Sequence, residues 1–146
     1  MALVAEKKRA AYSASGLLGI APGSNLSLAK RVESGLTFSA LEKLSRVSGL
    51  SMDNLRVAVR IAPRTMTRRR SENKLSPEES DRLVSVSRLM ALTFELFEGN
   101  KTGALHWFTS PKRALGSRSP LETASTEVGS REVENLIGRL EHGVFS

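Results

Sequence analysis

The sequence predicts an all-α protein, a helix-turn-helix unit joined by a long helix to a small helical domain. Three observations predict it. Apolar residues recur at helical spacing, and no segment shows the period-two alternation of a strand. Serines precede several of these segments and glycines follow them, where helix caps belong. Two short segments meet at the break "AP", residues 62–63, and the second is strongly basic.

Residues 1–23 read as weakly ordered. "APGSN" breaks the pattern, and Ser24 or Asn25 caps a short helix carrying Leu26, Leu28 and Val32, which Gly35 ends. In "TFSALEKLSRVSG", Leu41, Leu44 and Val47 share a face, and Gly49 stands at the C′ position. "SMDNLRVAVRI" begins with Ser51 as N-cap and Asp53 in the first turn, and Leu55, Ala58 and Val59 form its apolar face. Pro63 suits the first turn of the next helix, because its missing N–H would be unpaired there anyway. Ser76, Pro77 and Glu79 then form a capping box. The helix it opens runs to about Phe97 and stops at Gly99–Asn100.

That long helix carries two apolar stripes, Leu83, Val86, Met90 and Phe97 on one and Leu89, Leu92 and Leu96 on the other. An arc that wide predicts burial on two sides, as a spine between subdomains or a homodimer surface. "TGALHWF" reads as a helix and "TSPKRALGSRSP" as a loop. "SPLETA" repeats the Ser-Pro-x-Glu cap at Ser119. In "SREVENLIGRLEHG", Ser130 is the expected cap, Val133, Leu136, Ile137 and Leu140 face one way, and Gly143 closes the helix. The chain divides into a partly ordered extension at 1–35, a helix-turn-helix unit with the spine at 36–98, and a C-terminal unit at 99–146.

Composition narrows the functions. The chain has 146 residues, enough for one domain or two small ones sharing a core. Aromatics are only 5%, so the core is built of Leu, Val, Ala and Ile. The absence of cysteine excludes disulfides, thiolate zinc sites and a Cys nucleophile, and fits a reducing cytoplasm. No apolar run approaches the roughly 18 residues of a membrane span. "MALVAEKKRAAYSASG" lacks the order of a signal peptide. Net charge is +7, and it is unevenly placed: residues 1–75 hold 14 Lys and Arg against 5 acids, whereas 76–146 hold 8 against 10. A basic half predicts a polyanionic partner, most commonly nucleic acid.

The basic segment "RTMTRRR" supplies the candidate contact residues. Four arginines fall between Arg64 and Arg70, with no acid among them. In a helix-turn-helix, Ile61 fills the turn, Met66 packs back from the second helix, and that helix presents its N-terminal residues to the major groove. These are Arg64, Thr65, Thr67 and Arg68. Arginine pairs in bidentate fashion with guanine, and threonine meets a thymine methyl or a phosphate. Arg69 and Arg70 are expected on phosphates, which set affinity and register. The basic run near Lys7 is either a backbone-touching arm or a plain tail.

Two segments resemble known families. "LRVAVRIAPRTMTRRRSENKLSPEESDRL" is similar to the helix-turn-helix of Xre-type antitoxins. The segment from "GALHWF" to the end resembles the toxin-binding domain of the MbcA/ParS/Xre antitoxin family. The matching elements are "WF-x-x-P", "ALGSRSPLE", the T-x-x-G of "TEVG", the "V-x-x-L-I-G-R" helix and the terminal "HGVFS". Where the family usually has two adjacent glycines, this chain has Gly116-Ser117. The resemblance covers roughly residues 36–146.

The resemblance implies an antitoxin encoded beside a RES-domain toxin that consumes NAD. The antitoxin would cover the toxin's active site and repress the shared operon. Expected toxin contacts are Lys112, Arg113, Arg118 and Arg139 with the tail Gly143, Val144, Phe145 and Ser146. Trp107, Phe108, Leu136, Ile137 and Leu140 read rather as core. Partners are then the toxin, operator DNA and a second copy of the chain, with no cofactor or metal.

Two other readings compete. One is a repressor whose C-terminal half only dimerises or senses a ligand. The other, an enzyme, has little support: His106 and His142 lie far apart, and no phosphate loop, nucleophile elbow or zinc motif is present. The carboxylates of "PEES" and "REVE" are explained by helix capping and the dipole, and so is His142 at a helix C-terminus.

Overall fold

The computed structural model of the chain describes residues 12–143. Every regular element among them is helical, and the one β feature is an isolated antiparallel bridge between Lys112 and Arg118. The helices are α1 (Ala14–Leu18), α2 (Asn25–Ser34), α3 (Phe38–Ser48), α4 (Met52–Val59), α5 (Pro63–Glu72), α6 (Pro77–Leu96), α7 (Lys101–Thr109), α8 (Pro120–Thr123) and α9 (Glu127–Glu141). A single 3₁₀ turn, Arg113–Leu115, lies between α7 and α8.

Helix α6 is the spine. Helices α1 to α4, α7 and α9 all pack against it. Leu83, Val86, Leu89, Met90 and Phe94 of α6 are fully buried and belong to one core with Leu41, Leu55, Phe108, Val133 and Ile137. The two expected apolar stripes are therefore both used, although Leu92 and Leu96 are only half-buried. Polar residues inside this helix satisfy themselves: Ser80, Ser87 and Thr93 donate to the carbonyls of Ser76, Leu83 and Leu89 at 2.7–2.8 Å. Ser80 Oγ also accepts from Leu36 N–H at 2.8 Å, which ties the α2–α3 connection to the spine.

The start of the chain departs from expectation. Residues 12–23 include α1, whose Leu17 and Leu18 are buried against α3 and α6. Ser13 caps the helix and Gly19 ends it in the left-handed region. One turn of helix is too short for periodicity to register. Residues 1–11 of that expectation lie outside the described residues. Helix α2 is capped by Ser24 and ended at Gly35, as read, yet none of its residues is buried.

Helix α9 begins one turn earlier than Ser130 suggests. Thr126 is its cap, with Oγ1 accepting from Gly129 N–H at 3.0 Å. Ser130 is instead buried inside the helix and donates to the Ala124 carbonyl at 3.2 Å. The reason lies in Gly129: a Cβ there would collide with the Thr123 carbonyl, so the chain can make this turn only with glycine. The T-x-x-G element is thus a cap and the glycine it needs.

Candidate functional site

Helices α4 and α5 form the helix-turn-helix. Ser51 caps α4, with Oγ accepting from Asn54 N–H at 3.0 Å. Arg60 turns the chain at φ 64°, in the left-handed region, and Ile61 N–H returns to the Arg56 carbonyl at 2.9 Å. Ile61 is buried in the turn, in the same core as Leu55, Ala58, Val59 and Met66. Two arginines take up backbone carbonyls at this corner. Arg56 pairs with Asp53 at 2.9 Å and donates to the Ile61 carbonyl at 3.3 Å. Arg82 reaches from α6 to the Val59 carbonyl at 3.2 Å.

Helix α5 starts at Pro63 with Ala62 as N-cap, and no side chain caps it. Every other α-helix among the described residues has a Ser, Thr or Asn side-chain cap. The first N–H groups of α5 are therefore open to an outside acceptor. Arg64, Thr67, Arg68 and Arg70 are exposed, and Thr65 is half-buried.

The four arginines differ in what they touch. Arg64 and Arg68 form no ion pair among the described residues. Arg70 lays its guanidinium over the Phe38 ring, 5.2 Å from the centroid, and stays exposed. Arg69 turns inward to Glu79, with Nε and Nη2 donating at 2.7 and 3.3 Å. Its expected phosphate contact is replaced in this structure by a carboxylate of the spine helix. Burial pushes the Glu79 carboxyl up, but the Arg69 hydrogen bond and the Ser76 N–H overcome this and hold it below the usual range.

At the other end, Asn100 caps α7 and Phe108 is fully buried. Trp107 is half-buried beside Phe97, with centroids 6.3 Å apart. Lys112 Nζ lies 5.1 Å from the Trp107 ring centroid, and burial lowers its pKa. The loop after it closes on itself: Lys112 N–H donates to the Arg118 carbonyl at 3.0 Å, and Ser117 N–H to the Lys112 carbonyl at 2.9 Å. Gly116 and Ser117 both stand in the left-handed region, at φ 67° and 66°. Arg113 and Arg118 are exposed, and Arg118 Nη2 reaches the Glu122 carbonyl at 3.1 Å.

Helix α9 packs against the 3₁₀ turn, which brings this loop beside the helix that carries Arg139. Arg139 is half-buried, and its buried Nε has no acceptor among the described residues. Gly143 follows the helix at φ 69°. Val144, Phe145 and Ser146 lie outside the described residues. Leu136 and Ile137 are buried as expected, and Leu140 is half-buried.

Residues 92–143 match the model of the antitoxin Xre/MbcA/ParS C-terminal toxin-binding domain, and residues 27–88 match that of the antitoxin Xre-like helix-turn-helix domain. Antitoxin Xre of Yersinia enterocolitica is 35% identical over 130 residues, 88% of this chain and 88% of its own length. This chain belongs to the Xre antitoxin family. Antitoxin Xre of Photorhabdus laumondii is 34% identical over 113 residues, 77% of this chain and 76% of its own.

As a type II antitoxin of the Xre family, the chain carries a DNA-binding and a toxin-binding domain on one shared core. Several Xre-fold contacts were missed in the sequence. Arg56 and Arg82 hold the helix-turn-helix corner, and Asn73 Oδ1 accepts from Ser39 N–H and Oγ at 3.0 Å, which joins the end of α5 to the start of α3. Asn73 stands at φ 49°, and an asparagine just past a helix end is the one signal that pointed there.

Proposed function

We propose that this Xre-family antitoxin neutralises a RES-type, NAD-degrading toxin by laying its C-terminal unit over the toxin's active site. The loop 112–118 carries the argument. Its hydrogen-bonded closure holds Arg113 and Arg118 outward on a rigid base, next to α9 and Arg139. A site that binds NAD must accommodate phosphates, and two arginines held outward are suited to enter such a site in their place. Lys112, Arg139 and the tail Gly143, Val144, Phe145 and Ser146 complete the contact. Paired charge reversal, Arg113→Glu with Arg118→Glu, is expected to weaken toxin neutralisation in cells co-expressing the toxin. Undiminished protection would count against this assignment.

The same chain represses its own operon through α4 and α5. Arg64, Thr65, Thr67 and Arg68 read base edges, Arg70 meets phosphate, and Arg69 holds the helix in place through Glu79. The acid-free run and the uncapped start of α5 support this reading. The antitoxin acts as a cytoplasmic homodimer, so its operator is a pseudo-palindrome with half-sites about one helical turn apart. DNA reading is assigned to residues 36–98, toxin binding to 99–146, and residues 1–35 form an extension. A monomer by light scattering, free and on DNA, would remove the dimer from this account.

A further inference from the structure

A cleft of about 400 Å³ opens between the end of α1, the end of α2 and the start of α3. Leu18, Ile20 and Leu36 are among the residues that line it, and its charged lining residues are Lys30 and Arg31. Two further lysines stand at its edge. The Lys43 side chain passes 3.4 Å from where a Cβ on Gly19 would stand, and Lys74 Cε lies 3.2 Å from that point on Gly35. None of these four cations forms an ion pair among the described residues.

Helix α2 sorts its charges by face. Lys30, Arg31 and Ser34 line this cleft, whereas Leu28, Ala29, Val32 and Glu33 line a different one against Asp81 and Val84 of α6. The one acid of α2, Glu33, lines that other cleft and not this one.

The cleft also continues the basic face of α5. Arg70 covers Phe38 at the start of α3, and Lys74 follows just past the end of α5, beside Gly35 in the cleft wall. Helix α5 has 10 residues, so the cleft stands roughly 15 Å from its reading end. We infer that this cleft is a second phosphate-binding surface, which holds the DNA backbone beside the segment read by α5 through Lys30, Arg31, Lys43 and Lys74. The inference rests on the DNA reading of α5 and extends its footprint to residues outside helices α4 and α5.

The test is fluorescence anisotropy over a salt series with the full chain. The probes are a labelled duplex from upstream of its own gene and a random duplex of equal length. The variants are Lys30→Gln with Arg31→Gln, both exposed, and separately Arg68→Ala. Each lost phosphate contact flattens the slope of log K against log salt by about 0.9, so the double variant is expected to lose about 1.8 per chain on both probes. Arg68→Ala is expected to weaken the upstream probe more than the random one. An unchanged slope for the double variant, with Arg68→Ala still impaired, would overturn the cleft and leave the α5 reading standing. Wild-type binding by both variants would overturn the two together. Loss of toxin retention by the double variant, with its slope intact, would make the cleft a protein interface and also overturn the proposal.

Discussion

The carboxylate of Glu79 accepts Arg69 Nε at 2.7 Å and Ser76 N–H at 2.8 Å through the same oxygen, Oε1. One side chain therefore caps the spine helix and fixes the recognition helix to it. Glu79 is only 7% exposed, so the pair works in a poorly screened setting. Glu79→Ala leaves Arg69 half-buried without its acceptor and removes one half of the α6 capping box, while Ser76 Oγ still accepts from the backbone N–H at 79. An expected loss of about 2 kcal/mol, read by urea unfolding at pH 7, follows from a hydrogen bond between charged groups.

The pair also makes a pH prediction. The folded-state Glu79 carboxyl lies below its unfolded value, because Arg69 and Ser76 together outweigh burial. Its stabilisation is then complete above the unfolded value of about 4.3 and is lost as pH falls through the folded value. Against Glu79→Gln, the wild-type advantage is expected to be full at pH 7 and to shrink below about pH 4. A constant advantage from pH 7 to pH 3 would show that the charge contributes nothing.

The arginines of α5 are expected to divide their work. Arg68 is exposed and free of ion pairs among the described residues, so Arg68→Ala is expected to cost about 1–3 kcal/mol of operator binding and relax base choice. Arg70 is steadied on Phe38, and its proposed contact is a phosphate. Arg70→Ala is expected to weaken all sequences alike and flatten the salt slope. Equal losses on operator and random DNA for both variants would contradict that division.

The loop 112–118 carries a strained residue. Ser117 stands at φ 66°, where a side chain costs about 1–2 kcal/mol relative to glycine. Ser117→Gly removes that cost and is expected to raise the thermal midpoint with toxin binding intact. Gly129→Ala has the opposite sign. Its Cβ would meet the Thr123 backbone, and a loss of at least about 2 kcal/mol is expected by urea unfolding.

Much of this arrangement was legible from caps and spacing. Ser51, Pro63 and the Ser76–Glu79 box placed the helix-turn-helix and the start of the spine, because each answers a local need of the helix it begins. Ser130 misled because a serine before Arg-Glu looks like a cap, while the real one, Thr126, depends on a clash that Gly129 avoids across the turn. Helix α1 was hidden because its two buried leucines matter only against α3 and α6. Arg69 was read as a phosphate contact for a similar reason. Nothing in "TRRRS" says that one arginine of three points inward, since that is decided by a carboxylate ten positions later.

The most direct test of the account is co-purification with the product of the neighbouring gene, using the full chain and a chain ending at His142. The full chain is expected to retain that protein and to suppress its NAD-consuming activity, and the shortened one to lose it. If neither chain retains it, the assignment of the loop 112–118, Arg139 and the tail to a RES-type toxin is contradicted.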